Sequence, residues 1–284
     1  MKARGRKERA GTSRCARSGW PGDRDGLGAL LDHPLVAERY FFPRPAPVPS
    51  PLWVDAGDAR LACALHPTDA PDPLTIVHFH GNGEVVADWL EGGFPEAVAS
   101  ALGCNLFLAE YRGYGMSTGE PRLGRMLDDV EAIVRAAGAP PGRLVLFGRS
   151  VGSIFALEGA ARFPTVAGLV LESGIADVLE RLLLRLEPAE LGATADELAA
   201  AVAARLDHRA KLAAYPGPVL VMHARHDGLV PASHGERLAA WAAGPAILKL
   251  FDRGDHNSIL AANARAYLEA LAELVALAGG SPRA

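Results

Sequence analysis

Cysteine is scarce in this 284-residue chain, which has only Cys15, Cys63 and Cys104 and no Cys-x-x-Cys spacing. An odd, scattered set of this kind excludes a disulfide framework and a structural zinc site. Long apolar runs are missing too. No uninterrupted apolar stretch approaches the roughly 20 residues that a bilayer span requires. The chain has no internal repeat, heptad array, Walker A sequence or His-Glu-x-x-His. Solenoids, coiled coils, P-loop nucleotide binding and zinc-protease chemistry therefore drop out. Net charge is only −4 and apolar residues make up 49% of the chain, which excludes a disordered chain. The length suits one large α/β domain better than two independent ones.

The small net charge hides an asymmetry. Residues 1–24 carry a net +6 and the rest of the chain −10. The basic start runs into Gly11-Thr12-Ser13-Arg14 with no apolar stretch, so no secretory leader is expected. Together with the unpaired cysteines, this predicts a cytoplasmic protein. The basic tail reads as a solvated, disordered segment, its alternative being a tether to nucleic acid or anionic lipid. An acidic body offers no nucleic-acid surface, and no such partner is expected.

A proline-rich run, residues 43–51, cannot be a helix or a central strand. Residues 25–58 are therefore expected to be an extended lead-in, with a first strand pair around Leu52–Val54 and Arg60–His66. From residue 59 onward the chain reads as one domain. Short apolar runs at 74–80, 105–111, 143–148, 168–172, 219–224 and 246–251 have the near-continuous apolarity of strands buried on both faces. Amphipathic stretches at 94–102, 122–137, 153–162, 233–243 and 257–278 lie between or after them. Strand–helix alternation predicts an α/β fold: a mostly parallel sheet with helices on both faces and functional groups at the carboxyl ends of the strands. About 45 residues separate the strands at 168–172 and 219–224, more than one crossover helix needs. The excess, residues 174–216, predicts a small helical cap.

Gly148-Arg149-Ser150-Val151-Gly152 matches Gly-x-Ser-x-Gly, and so does Gly115-Met116-Ser117-Thr118-Gly119. Context separates them. Ser150 directly follows a strand and precedes an apolar helix, the strand–turn–helix setting in which Gly148 and Gly152 make room for a strained, exposed nucleophile. Ser117 lies in a Gly-rich loop and is expected, with Met116 and Trp89, to line a pocket. A serine hydroxyl needs a base, and His256 sits in the turn after the strand at 246–251. The imidazole in turn needs an orienting carboxylate. Asp227 follows the strand at 219–224, while Glu172, at the end of the preceding strand, stays open as an alternative. The order Ser150, Asp227, His256 is the one found in α/β-hydrolases. Oxyanion donors are expected from the Val151 amide and from the loop His80-Gly81-Asn82-Gly83-Glu84, at Asn82 or alternatively Gly83. That loop lacks the third glycine of a dinucleotide fingerprint. No cofactor and no metal are called for.

The blocks FHGNGE, EYRGYGMSTGEP, GRSVGS, PVLVMHARHDGLVP and GDHNS occur in this order. As a set, they resemble the α/β-hydrolase superfamily, specifically the Bem46/ABHD13/ABHD17-like serine hydrolases, over about residues 60–278. The resemblance implies an eight-stranded sheet and serine hydrolase chemistry on an ester, thioester or amide of a small acyl substrate. It also implies Ser150, Asp227 and His256 as the triad, with Val151 and Asn82 as oxyanion donors. Membrane-associated relatives that act on S-acylated proteins carry a cysteine-rich amino terminus. Only Cys15 stands there in this chain, which gives depalmitoylation no support. The alternatives are a non-catalytic binding protein on the same fold, or the same fold used for C–C hydrolysis or acyl transfer.

Overall fold

The computed structural model describes residues 28–279; the basic tail at 1–24 lies outside them. Five consecutive strands, β3 (Thr75–Phe79), β4 (Asn105–Ala109), β5 (Leu144–Arg149), β6 (Gly168–Glu172) and β7 (Val219–Ala224), are almost wholly buried. These are the near-continuous apolar runs of the sequence. They pair in parallel with one another and with β8 (Ala246–Phe251), which is half-exposed along its length. An antiparallel pair, β1 (Leu52–Ala56) and β2 (Ala59–His66), joins through β4 to complete an eight-stranded sheet in the order β1-β2-β4-β3-β5-β6-β7-β8. The order reverses between β3 and β5. Such a switch point opens a crevice at the carboxyl ends of the two strands. The loop after Phe79 and the turn after Arg149 both empty into it.

One sheet face is covered by α3 (Val86–Glu91), α4 (Phe94–Leu102) and α11 (Ile259–Leu277). The other is covered by α5 (Leu123–Ala136), α6 (Gly152–Arg162), α9 (His208–Ala214) and α10 (Ala232–Trp241). Helix α6 is apolar nearly all round and is buried over its first nine residues, as a helix enclosed by its neighbours must be. Its one buried acid, Glu158, is bonded by Arg162 at 2.7 Å and by Lys211 at 2.6 Å.

The lead-in departs from the extended chain expected. Residues 28–40 form two short helices, α1 (Gly28–Leu31) and α2 (Pro34–Tyr40). Pro34 occupies the first turn of α2, where its missing N–H costs nothing, and the His33 side chain accepts the Leu35 amide at 3.2 Å. Leu31, Val36, Tyr40 and Phe41 are buried against the domain, and that burial, which is long-range, fixes the helices. The sheet also begins before residue 59, since β1 is part of it. Residues 174–216 hold α7 (Val178–Leu183), a 3-10 turn at Pro188–Leu191, α8 (Ala195–Leu206) and α9. Helix α9 packs on α6 as the crossover helix, while α7 packs on α8 and α8 on α1. Lead-in and insertion therefore form one helical layer. Among the described residues, no helix is long and apolar enough to cross a membrane.

Gly152 begins α6 where it crosses the end of β3, and a Cβ there would overlap the Phe79 carbonyl oxygen. Backbone cannot yield as a side chain can. Gly152→Ala should lower unfolding free energy by about 3 kcal/mol or more. Gly142→Ala, where the nearest atom to a new Cβ is 3.8 Å away, should be neutral or stabilise by about 0.5 kcal/mol. Urea unfolding of both variants measures the difference.

Candidate active site

Ser150 occupies the turn between β5 and α6 at φ +53°. This left-handed backbone is unfavourable for a residue with a side chain by about 1 kcal/mol. Local bonds hold it: the Ser150 amide donates to the Glu172 carbonyl at 2.8 Å. Its own carbonyl accepts the Ser153 amide at 3.0 Å and the Ser153 hydroxyl at 2.6 Å. The Ser150 Oγ thereby points to the loop between β8 and α11. There it lies 2.9 Å from Nε2 of His256.

That loop is shaped by Asp255, whose Oδ1 accepts the Asn257 and Ser258 amides, both at 3.0 Å, and the Ser258 hydroxyl at 2.6 Å. On the far side of the His256 ring, Nδ1 lies 2.7 Å from Asp227 Oδ2. A carboxylate only accepts, so Nδ1 carries the proton and Nε2 is free to accept from the serine hydroxyl. The other oxygen of Asp227 accepts the Leu229 and Val230 amides at 2.9 and 2.8 Å. Burial works to raise the Asp227 pKa. Bonds from His223, His256 and the Val230 amide outweigh it and hold the carboxyl far below the usual range.

Glu172, the alternative acid, is committed elsewhere. Its Oε1 faces Arg149 Nε at 3.2 Å and its Oε2 accepts the Tyr267 hydroxyl. Asp227 is the carboxylate that meets His256.

Beside Ser150, the loop after β3 is pinned from several sides. The Asn82 side chain donates to the Tyr40 carbonyl and accepts the Phe42 amide at 3.0 Å and the Tyr114 hydroxyl at 2.9 Å. Among the described residues, the backbone amides of Val151, Asn82 and Gly83 have no hydrogen-bond acceptor. Beneath the loop lies a buried pair that the sequence reading missed. His80 Nε2 meets Glu110 Oε1 at 2.8 Å and Nδ1 meets the Gly81 carbonyl at 2.8 Å. Both ring nitrogens face acceptors, so the ring carries both protons. Burial opposes this charge, and Glu110 outweighs it, leaving the His80 pKa raised.

Met116, Ser117 and Trp89, expected to line a pocket, have partners of their own. Ser117 Oγ accepts the Ala62 amide at 2.9 Å, stitching its loop to β2, and Met116 Sδ receives the Val48 amide at 3.1 Å. Trp89 packs on His78 and Phe94. Arg149 and Glu84, joined by an ion pair, were also passed over. Both stand inside blocks singled out in the sequence, but burial and pairing are tertiary facts. Among the described residues, no cluster of three or more His, Cys, Asp or Glu could hold a metal ion.

This sheet order, turn and loop geometry are those of the α/β-hydrolase fold, and the family model of that fold matches residues 75–208. The chain has the α/β-hydrolase fold and is similar to members of that superfamily over these residues. It is 30% identical to the uncharacterized protein YfhR of Escherichia coli K12 over 193 residues, covering 64% of this chain and 62% of YfhR. It is 27% identical to human alpha/beta hydrolase domain-containing protein 17C over 210 residues, covering 72% of this chain and 59% of that protein. The chain thus spans about three fifths of the length of these relatives. Among solved structures, Est1E from Butyrivibrio proteoclasticus with ferulic acid bound superposes with a TM-score of 0.65 at 18% identity, covering 79% of this chain and 99% of Est1E. Mouse alpha/beta hydrolase domain-containing protein 10 gives 0.65 at 19%, covering 80% and 99%. At these identities the structures show a shared fold.

A histidine whose folded pKa is raised stabilises the fold fully below its unfolded value, about 6.5. That contribution disappears as pH rises through the folded value. Glu110→Gln should therefore cost about 3–5 kcal/mol near pH 6. The gap to wild type should narrow toward pH 9. Urea unfolding across that range checks it, and a gap independent of pH would refute the charged pair.

Proposed function

We propose that this protein is a serine hydrolase that cleaves an ester, thioester or amide of a small acyl substrate through an acyl-enzyme. The observation that carries the reading is the unbroken chain from Ser150 Oγ through His256 to Asp227, at 2.9 and 2.7 Å. Ser150 Oγ attacks the carbonyl carbon while His256 Nε2 takes its proton, and Asp227 steadies the imidazolium so formed. The oxygen that becomes negative is met by the free amides of Val151, at the start of α6, and of Asn82, with Gly83 as the alternative. His256 then protonates the departing oxygen, sulfur or nitrogen. Water, deprotonated by the same imidazole, attacks the acyl-serine and releases the acid. Neighbours in the fold named as esterases, from Exiguobacterium antarcticum and Thermoanaerobacterium, favour an ester among these substrates.

A fluorophosphonate probe should label the wild-type protein at Ser150, and Ser150→Ala should abolish both labelling and p-nitrophenyl ester hydrolysis. Asp227→Asn should lower kcat by roughly 10³–10⁴ through the wrong imidazole tautomer, with the fold intact by circular dichroism. Undiminished labelling of the Ser150→Ala protein would overturn the assignment. A kcat within tenfold of wild type for Asp227→Asn would remove Asp227 from it.

A further inference from the structure

Arg149, the residue before Ser150, is buried, and its guanidinium reaches three segments around the site: the loop after β3, the end of β6 and the His256 loop. Nη2 donates to the His256 carbonyl at 2.8 Å, Nε faces Glu172 Oε1 at 3.2 Å, and Nη1 pairs with Glu84 Oε1. Glu84 passes the link on, since its Oε2 accepts the Gly81 amide at 2.7 Å. The fit leaves no slack: a Cβ on Gly81 would stand 2.5 Å from Arg149 Nη1. Burying a guanidinium is costly, and one well-placed carboxylate with water would satisfy it more simply. Here the planar fork is spread over two carboxylates and a carbonyl from two loops and the end of β6, a task for which a lysine has the charge but not the geometry.

We propose that Arg149 and Glu84 form a positioning strut that sets the oxyanion loop and the His256 loop against the nucleophile. The inference rests on the serine hydrolase reading above. Because Arg149 and Ser150 are adjacent in the chain, the base and the oxyanion loop are both referred to the backbone that carries the attacking oxygen. Errors in the two long loops are thus absorbed at one point. The strut touches no reacting atom and acts only through the placement of His256 and of the amide-bearing loop.

The test compares Arg149→Lys, Glu84→Ala and the double variant with wild type in p-nitrophenyl butyrate turnover and fluorophosphonate labelling rate. It adds the low-field proton resonance of the His256 Nδ1–H. Each single variant should lose about 10–100-fold in kcat and in labelling rate, the scale of a misplacement near 1 Å, with KM changed less than about threefold. The double variant should be no more than about threefold worse than the worse single, since both break one linkage. The low-field resonance should shift or broaden in Arg149→Lys. Glu84 is partly exposed, so Glu84→Ala is the arm expected to fold even if Arg149→Lys does not, and folding is checked by thermal melting. A folded Glu84→Ala protein with kcat within twofold of wild type, or losses that multiply in the double variant, would overturn the strut while leaving the hydrolase reading standing. A wild type that neither labels nor turns over ester would overturn the hydrolase reading and the strut with it.

Discussion

At Ser150 the backbone enters a left-handed turn, which L-residues resist because Cβ crowds the carbonyl oxygen. It is held there by the Glu172 carbonyl, by two bonds from Ser153 and by the buried first turn of α6. The bonds from Ser153 and the first turn of α6 require that α6 press its first residue against the end of β3. That in turn requires Gly152, where any side chain would strike the Phe79 carbonyl. Parallel pairing of β3 with β5 through Phe79 and Gly148 sets the separation. Pairing of β5 with β6 through Arg149 and Glu172 places the carbonyl that receives the Ser150 amide. The strain is stored where a rigid sheet and a buried helix over-determine the geometry, as strained residues require.

Around that turn the protein buries far more charge than a core usually tolerates. His80 with Glu110, Arg149 with Glu84 and Glu172, and Asp227 with His256 all lie at the carboxyl ends of the strands. An isolated ion would not survive there. Each is instead satisfied by a partner and by backbone: the Gly81 carbonyl for His80, the Val86 amide for Glu110 at 3.0 Å, and the Leu229 and Val230 amides for Asp227. Such networks add little net stability over an apolar core, but they are costly to break in part. Their effect is rigidity, which limits how far the loops bearing Ser150, His256 and Asn82 can drift.

The central strands were legible because burial on both faces leaves a chemical mark along the chain. The runs at 168–172 and 219–224 coincide with β6 and β7; the run at 246–251 coincides with β8, which is half-exposed at the sheet edge and not buried on both faces as expected. Ser150, Asp227 and His256 could be read from their positions just after such strands, and they do converge. What could not be read depends on partners distant in sequence. Helices α1 and α2 are held by packing of Leu31, Val36 and Tyr40 against the domain rather than by an amphipathic repeat long enough to detect. Glu110 and Arg149 look like ordinary strand-end charges until the fold sets His80 and Glu84 beside them. The Ser117 hydroxyl likewise has a partner no local pattern shows, the Ala62 amide, on the side of β2 where pairing with β4 has ended.

Asn82 shows how the lead-in bears on this chemistry. Both ends of its amide side chain are engaged, by the Tyr40 carbonyl on one side and by the Phe42 amide and Tyr114 hydroxyl on the other. The side chain is therefore occupied in orientation, and the backbone amide has no acceptor among the described residues. Two of its three partners lie at the end of α2 and just beyond it, at Tyr40 and Phe42, and the Phe42 ring lies under the Arg185 guanidinium at 5.1 Å. Arg39 of α2 in turn grips Glu190 through both carboxylate oxygens, at 2.7 and 2.8 Å. An exposed ion pair contributes little energy by itself, but it joins the lead-in to the insertion. Lead-in, insertion and the loop after β3 are thus joined in one line of contact. The Asn82 side chain is held by Tyr40 and Phe42 of the lead-in as well as by Tyr114 of the domain.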